Sequence, residues 1–486
     1  MGTALKFKMK ELYQKLINYD KKDYYPFHMP GHKRNPFFLE KNLPWNLDIT
    51  EIEGFDNLHH PEGVIKRAQE RASSLYGTKA SFFSVNGSTA ALLTAISAAV
   101  KPGGKILIAR NCHKAVYHGI YLRGLRPVYL QPGFFQKWGI NGGISPSEVE
   151  EKLKSEPDIE AVLITSPTYD GMVSDIGKIS DAAHKYGIPL IVDEAHGAHF
   201  PFSDFFPDSA VNKGADLVIQ SLHKTLPSLT QTALLHQCTL RVPQEDLQRF
   251  MGIYQSSSPS YILMAGIDWC MDFLEKESQN YFKPYVSELR KLRESLKDLK
   301  NLCLFDERAA GRENVWDMDL TKLILCVNHE ELNGHILSSL LRRDYHLEME
   351  MEAENYVLGI SSVCDRPEGL SRLKTALEEI DRNYEENSGR KKRKEIVIDK
   401  KSPMFPVQRM KIFDAAEGRN ERIRISESEG RISAEFIYLY PPGIPLVVPG
   451  EEISKELIEC LDRYKKEGFE IQGMSDINGE WIRIVG

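Results

Sequence analysis

Seven short apolar runs between Ala80 and Gln237, each parted from the next by a linking segment, constrain this chain's fold more than any other feature. They are Ser81–Val85, Lys105–Ala109, Pro127–Leu130, Ala161–Thr165, Pro189–Asp193, Asp216–Ser221 and Thr232–His236. Most are continuously apolar rather than alternating, the pattern of strands covered on both faces. Intervening segments such as Thr89–Val100 and Ile176–Tyr186 have helical length and helical spacing of apolar residues. This alternation predicts an α/β protein with a seven-stranded, mostly parallel, doubly wound sheet.

At 486 residues the chain exceeds one hydrophobic core, so further domains are expected. The reading is an N-terminal segment over 1–60, a large domain over 61–300, a small α/β domain over 301–388, a linker over 389–402 and a C-terminal α+β module over 403–486. The small domain should hold a strand near Tyr356–Ile360 and a closing helix over Gly369–Glu385. The stretch Glu385–Lys401 is polar and then basic, which reads as a solvated linker. A net charge of -7 argues against a nucleic-acid partner. Seven cysteines, an odd number with no C-x-x-C pair, point to a reducing compartment and no cysteine-based zinc site. No apolar run has the length of a membrane span, and Met1–Asp20 lacks the apolar centre of a leader. A cytoplasmic protein is expected.

Ligands of open α/β sheets gather at the carboxyl ends of the strands, so the residues after each run matter most. After the first come Asn86-Gly87-Ser88-Thr89 and an Ala-rich helix, a helix start suited to a phosphate and equally to ordinary capping. After the second comes His113, able to stack on a flat ring or to lie at the surface. The fifth ends in Asp193-Glu194-Ala195-His196-Gly197, and an Asp there is costly to bury without a cationic partner. The sixth ends in Ser221-Leu222-His223-Lys224, where the lysine could also be a loop residue reaching solvent. Jointly these make a phosphate cradle, a stacking ring, a carboxylate and an amine. Pyridoxal phosphate needs that set: donors for its phosphate, a carboxylate for its pyridine nitrogen and a lysine for its aldehyde.

The chain resembles the fold-type-I pyridoxal-phosphate enzymes, and among them the bacterial ornithine/lysine/arginine decarboxylase family. The resemblance rests on H-M-P-G-H-K (His28–Lys33), D-I-T-E-I (Asp48–Ile52), F-F-S-V-N-G-S-T, N-C-H-K, S-P-T-Y-D-G, V-D-E-A-H-G, S-L-H-K, S-S-S-P-S-Y (Ser256–Tyr261) and Y-P-P-G-I-P. It covers nearly the whole chain and matches the short form, without the extra N-terminal domain of the longest members. The resemblance implies that Lys224 carries the cofactor as a Schiff base, Asp193 pairs with the pyridinium and His113 stacks on the ring. It implies that Gly87, Ser88, Thr89, Ser221 and His223 hold the phosphate, and that His196 lies beside the ring, where some relatives have an aromatic residue. Ser257, within Ser256–Ser258, matches a segment that approaches the phosphate from a neighbouring subunit, which implies at least a homodimer. The implied reaction is decarboxylation of arginine, lysine or ornithine to agmatine, cadaverine or putrescine. Transamination, carbon–sulfur lysis and a non-catalytic regulatory role are the rivals.

Two acidic positions are candidates for the substrate's distal cation. Glu350 stands in H-L-E-M-E-M-E, where Glu348, Glu350 and Glu352 share one face at strand period; a solvated edge strand would look the same. Glu435 precedes Y-P-P-G-I-P and could equally be structural. Gly171–Lys178 imitates a P-loop but has five residues between its glycines where four are needed, and Ile179 in place of Ser or Thr. His196 and His199 lack a third ligand at sensible spacing, so no metal is expected.

Overall fold

The computed structural model describes residues 11–21, 44–387, 406–440, 443–466, 470–476 and 478–486. The H-M-P-G-H-K motif, the expected linker over 389–402 and Pro441-Pro442 lie outside them. All seven expected strands form, within two residues of the boundaries read from sequence: β1 (Ala80–Ser84), β2 (Lys105–Ala109), β3 (Arg126–Leu130), β4 (Ile159–Thr165), β5 (Leu190–Asp193), β6 (Leu217–Ser221) and β7 (Ala233–Gln237). They make one sheet in the order β1-β7-β6-β5-β4-β2-β3. β2 pairs in parallel with β3 and β4, and β4 in parallel with β5, whereas β7 runs antiparallel to both β1 and β6. The sheet is therefore mixed and mostly parallel, as expected. β5, β6 and β7 are buried along their whole length, which is why their sequences show no alternation.

The described residues fall into two compact units. One takes those up to Ala98 together with Glu194–Val286 and Ser362–Cys364; the other takes Ala99–Asp193, Ser287–Ser361 and Asp365–Gly486. Within the first, the helix Gly87–Ala99 follows β1 and the one-turn helix Leu222–Thr225 follows β6. Gly87 has φ +72°, a conformation that favours glycine, where the chain turns from β1 into its helix. The segment Gln255–Ser260 separates the helices Gln244–Tyr254 and Tyr261–Ser295.

Within the second, the helix Ile176–Lys185 is capped by the Asp175 carboxylate, which accepts from Lys178 N at 3.2 Å. The helix Lys114–Arg123 is capped by His113 and stopped at Gly124, whose φ is +60°. A smaller antiparallel sheet places Lys322–Val327 between Leu302–Leu304 and Tyr356–Ile360, with Met351–Glu352 at the edge. The strand expected at Tyr356–Ile360 is there, and the expected closing helix runs over Pro367–Asn387. The C-terminal residues pack around their own core of Ile425, Ile437, Val447, Ile453, Leu461, Ile482 and Ile484.

A fully buried ion pair ties that C-terminal module to the end of β2. Arg110 donates through Nε and Nη2 to the two carboxylate oxygens of Glu451 at 3.1 and 2.9 Å. Its Nη1 donates to Pro445 O at 2.8 Å and to the Tyr117 hydroxyl at 3.1 Å. Val448 N adds a bond to Glu451 at 2.8 Å, so both charges are met by fixed partners.

Candidate active site

In the first unit, six of the predicted residues, Gly87, Ser88, Thr89, Ser221, His223 and Lys224, lie at the carboxyl ends of β1 and β6. Ser88 opens the helix after β1, and its Oγ is 2.6 Å from Ser221 Oγ, the last residue of β6. The Ser84 hydroxyl donates to Gly87 O at 2.7 Å and fixes the turn between strand and helix. Thr89 is exposed in the first turn of that helix. A pair of hydroxyls above a helix start is a set of donors for an anion. Ser221 precedes the short helix that carries Lys224, and its side chain makes no cap bond there.

Lys224 is half-buried, and its Nζ lies 3.0 Å from Nε2 of the buried His196. His223 is half-buried as well, and its Nδ1 lies 3.0 Å from Thr232 O. A carbonyl only accepts, so Nδ1 carries a proton. Nε2 can then donate to a phosphate only when the ring is cationic. Burial, and after it the Lys224 charge, push the His223 pKa down, so a neighbouring anion would have to favour that charge. Ser256, Ser257 and Ser258 are exposed. Ser256 N donates to Asn86 Oδ1 at 3.3 Å, and Ser256 O lies 2.7 Å from His59 Nε2. The serine-rich segment thus borders the Asn86-Gly87-Ser88 turn of its own chain.

Beneath this surface is a buried polar network the sequence did not reveal. Glu194 accepts from Ser209 Oγ, Ala210 N and Gln220 Nε2, each at 2.7 Å. Gln220 Oε1 is 3.2 Å from His236 Nε2, and His236 Nδ1 is 2.7 Å from Ser81 Oγ. The Gln220 amide donates to Glu194, so its oxygen faces His236; Nε2 then bears the ring proton and Nδ1 accepts from Ser81. Burial pulls His236 down to about 3. Burial also pushes Glu194 up to about 7 against its three donors.

In the second unit, Asp193 ends β5 buried, with 3% of its surface exposed. An anion so buried requires cationic or hydrogen-bonding company. Three peptide steps along the chain lead from Asp193 to His196. His113 caps its helix by accepting from Ala115 N at Nδ1, 3.2 Å away. That bond uses the Nδ1 lone pair and leaves Nε2 to carry the proton of the neutral ring. Lys114 N donates to Gly443 O at 2.9 Å, and Lys114 Nζ to the Tyr438 hydroxyl at 3.2 Å.

The two acidic candidates are placed very differently. Glu435 is buried and accepts from Ser475 N at 2.9 Å, Arg483 N at 3.0 Å and Arg483 Nε at 2.8 Å. Its carboxylate braces the C-terminal module. Glu350 is exposed and accepts from the Tyr169 hydroxyl. Tyr169 follows β4 in the S-P-T-Y-D-G motif, but nothing in the sequence pairs it with a residue so distant. The other two carboxylates of H-L-E-M-E-M-E have separate partners: Glu348 takes Arg342, and Glu352 lies 2.8 Å from His335.

The residues present fit pyridoxal phosphate. The hydroxyl pair tops a helix start, a lysine follows a buried strand beside a histidine, and a buried carboxylate closes β5. Among the described residues no group of three or more His, Cys, Asp or Glu side chains is placed to hold a metal ion. No described helix is long and apolar enough to cross a membrane.

Known proteins resemble this chain along nearly its whole length. Arginine decarboxylase of Bacillus anthracis is 32% identical over 480 residues, covering 98% of this chain and 97% of that protein. Inducible lysine decarboxylase of Escherichia coli is 23% identical, covering 97% of this chain and 79% of that one. The structure of lysine decarboxylase LdcF from Francisella novicida superposes with a TM-score of 0.83 at 20% identity, over 98% of this chain and 81% of that chain. The profile for the Orn/Lys/Arg decarboxylase major domain matches residues 10–323, and that for the C-terminal domain of the same enzymes matches residues 397–479. The chain belongs to the Orn/Lys/Arg decarboxylase family.

Proposed function

We propose that this protein is a pyridoxal-phosphate-dependent decarboxylase that converts arginine to agmatine and CO2. The observation that carries the chemistry is Lys224, which follows a buried strand with Nζ against His196 and stands three residues after the Ser221 hydroxyl paired with Ser88. Arginine is preferred over lysine and ornithine because the arginine decarboxylase of Bacillus anthracis is 32% identical and the Escherichia coli lysine enzyme 23%.

Bound pyridoxal phosphate supplies an electron sink for the pair released as CO2 leaves. In our reading Lys224 carries the cofactor, and Ser88, Thr89, Ser221, His223 and the Gly87 turn hold its phosphate. The Asp193 carboxylate would hold the proton of the pyridine nitrogen, and the His113 ring would offer the cofactor a flat contact. His196 orients the Lys224 amine at 3.0 Å. As a free amine, Lys224 would be the general acid that returns a proton to Cα. Glu350, held by the Tyr169 hydroxyl, receives the distal guanidinium. Ser257 reaches the phosphate of a second copy, making a homodimer, and seven cysteines outside any disulfide suit the cytoplasm.

The test is incubation of the purified holoenzyme with arginine, lysine and ornithine separately, with the amine identified by mass. Agmatine from arginine is expected. Cadaverine or putrescine instead would move the substrate within the family, and no amine from any of the three would refute decarboxylation. Borohydride reduction should place a pyridoxyl group on the Lys224 peptide.

A further inference from the structure

We propose that the C-terminal module is a positioning element for His113, with Gly443 as the contact that sets the ring. The inference rests on the reading of His113 as the residue that lies against the cofactor. Gly443 is buried at φ +81°, and a Cβ built on it would stand 3.2 Å from both Cδ2 and Nε2 of His113. The module's backbone therefore lies so close to the imidazole edge that a side chain here, already strained by the positive φ, would make the ring give by a few tenths of an ångström. The opposite side of the ring is tied to its own helix, because Nδ1 accepts from Ala115 N. One edge is held by the helix start and the other by a loop from the far end of the chain.

Three neighbouring contacts keep that loop in register. Gly443 O accepts from Lys114 N, the residue after His113, at 2.9 Å. Lys114 Nζ stands 4.3 and 5.1 Å from the ring centroids of Tyr438 and Tyr440, within cation–π range. Behind them the buried Arg110–Glu451 pair joins positions 341 residues apart in sequence. These contacts fall on Arg110, His113 and Lys114, the turn that aims the imidazole. An appended module with no part in the site would have no reason to converge there.

The experiment compares four holoenzymes: wild type, G443A, H113A and the double variant. Cofactor dissociation constants are measured by equilibrium dialysis and the position of the visible absorption band is recorded. G443A should weaken cofactor binding about tenfold and shift the band, yet change affinity less than about twofold when added to H113A, since coupled sites are non-additive. An H113A variant with wild-type affinity and band would sink the reading of His113 itself. A weakened H113A with an inert G443A, or a G443A effect equally large in both backgrounds, would overturn the inference alone. Y438A, read in the same two backgrounds by the same criteria, decides the matter if G443A does not fold. Y121F removes a module contact with Glu417 further along the helix and should leave affinity and band unchanged; a shift matching that of G443A would also overturn the proposal.

Discussion

The two regions that hold the predicted site residues are built on opposite plans. Around Lys224, the side chains come from the ends of strands, and the charges below them are met by a chain of hydrogen bonds from Glu194 through Gln220 to His236 and Ser81. Around His113, a single buried ion pair and one glycine connect β2 and its helix to residues more than 300 positions away. The first plan distributes its polar demand over many neutral groups. The second concentrates it in one charged pair. They should therefore fail differently, one through protonation and the other through truncation.

The largest expected effect is in the hydrogen-bonded region and follows pH. His236 must be neutral to accept from Ser81, and its pKa falls from the ordinary 6.5 to about 3 on burial. The unfolded chain binds this proton first, so the contribution is complete above pH 6.5 and is lost as pH falls through 3. At 1.36 kcal/mol per unit it amounts to at most about 5 kcal/mol. Glu194 works in the opposite sense. Its pKa rises to about 7, so its term diminishes as pH climbs from 4.5 to 7. The two slopes cancel between pH 4.5 and 6.5, and the acid loss should appear only below pH 4.5 in wild type. E194Q should expose the His236 slope up to pH 6.5, whereas H236Q should abolish the acid loss below pH 4.5 and leave the Glu194 slope uncompensated from pH 4.5 to 7. Urea unfolding at half-unit pH intervals measures this. Parallel profiles for wild type and H236Q would show that the histidine is not held neutral.

The ion pair comes next. Arg110 and Glu451 have no exposed side-chain surface, and removing one partner leaves the other buried without its counter-charge. E451Q should cost about 3–5 kcal/mol, the scale of breaking a buried pair. Replacing both with apolar residues of similar volume should cost much less, since the desolvation penalty disappears with the charges. Urea midpoints for the single and double variants check this, and a loss below about 1 kcal/mol in E451Q would place the pair among surface-like contacts. That outcome would erase the contrast between the regions.

The same contrast explains what could be read from sequence. Seven apolar runs, most of them continuous, marked the strands because strands buried on both faces leave little alternation, and Lys224 and Asp193 were conspicuous as charges at the ends of such runs. Arg110 also follows an apolar run, and Glu451 follows L-V-V-P-G, so each carried the same signal. What the sequence could not supply was their pairing. The approach of Gly443 to His113 and of Tyr169 to Glu350 likewise depends on how distant segments pack. The Glu194–His236 network was hidden for another reason: Gln220 and His236 sit within strands, where a polar residue gives no hint of its partner.

The smallest expected effect tests whether the cradle around Lys224 is redundant where the His113 latch is not. Ser88 Oγ and Ser221 Oγ lie 2.6 Å apart, so one hydroxyl donates to the other and the second keeps its hydrogen for an anion. If Ser88 is replaced by Ala, the Ser221 hydroxyl loses its neighbour and can itself turn to the phosphate. One donor to the phosphate survives, so the loss should be smaller than one net hydrogen bond of about 1 kcal/mol, that is, less than roughly fivefold in cofactor affinity. S221A should cost a similar amount for the same reason. The S88A/S221A double variant has no hydroxyl left to compensate, so its loss should exceed the sum of the two single losses. Equilibrium dialysis on the four proteins reads the result. Strict additivity would mean that each serine holds the phosphate independently, and the cradle would then be as brittle as the latch.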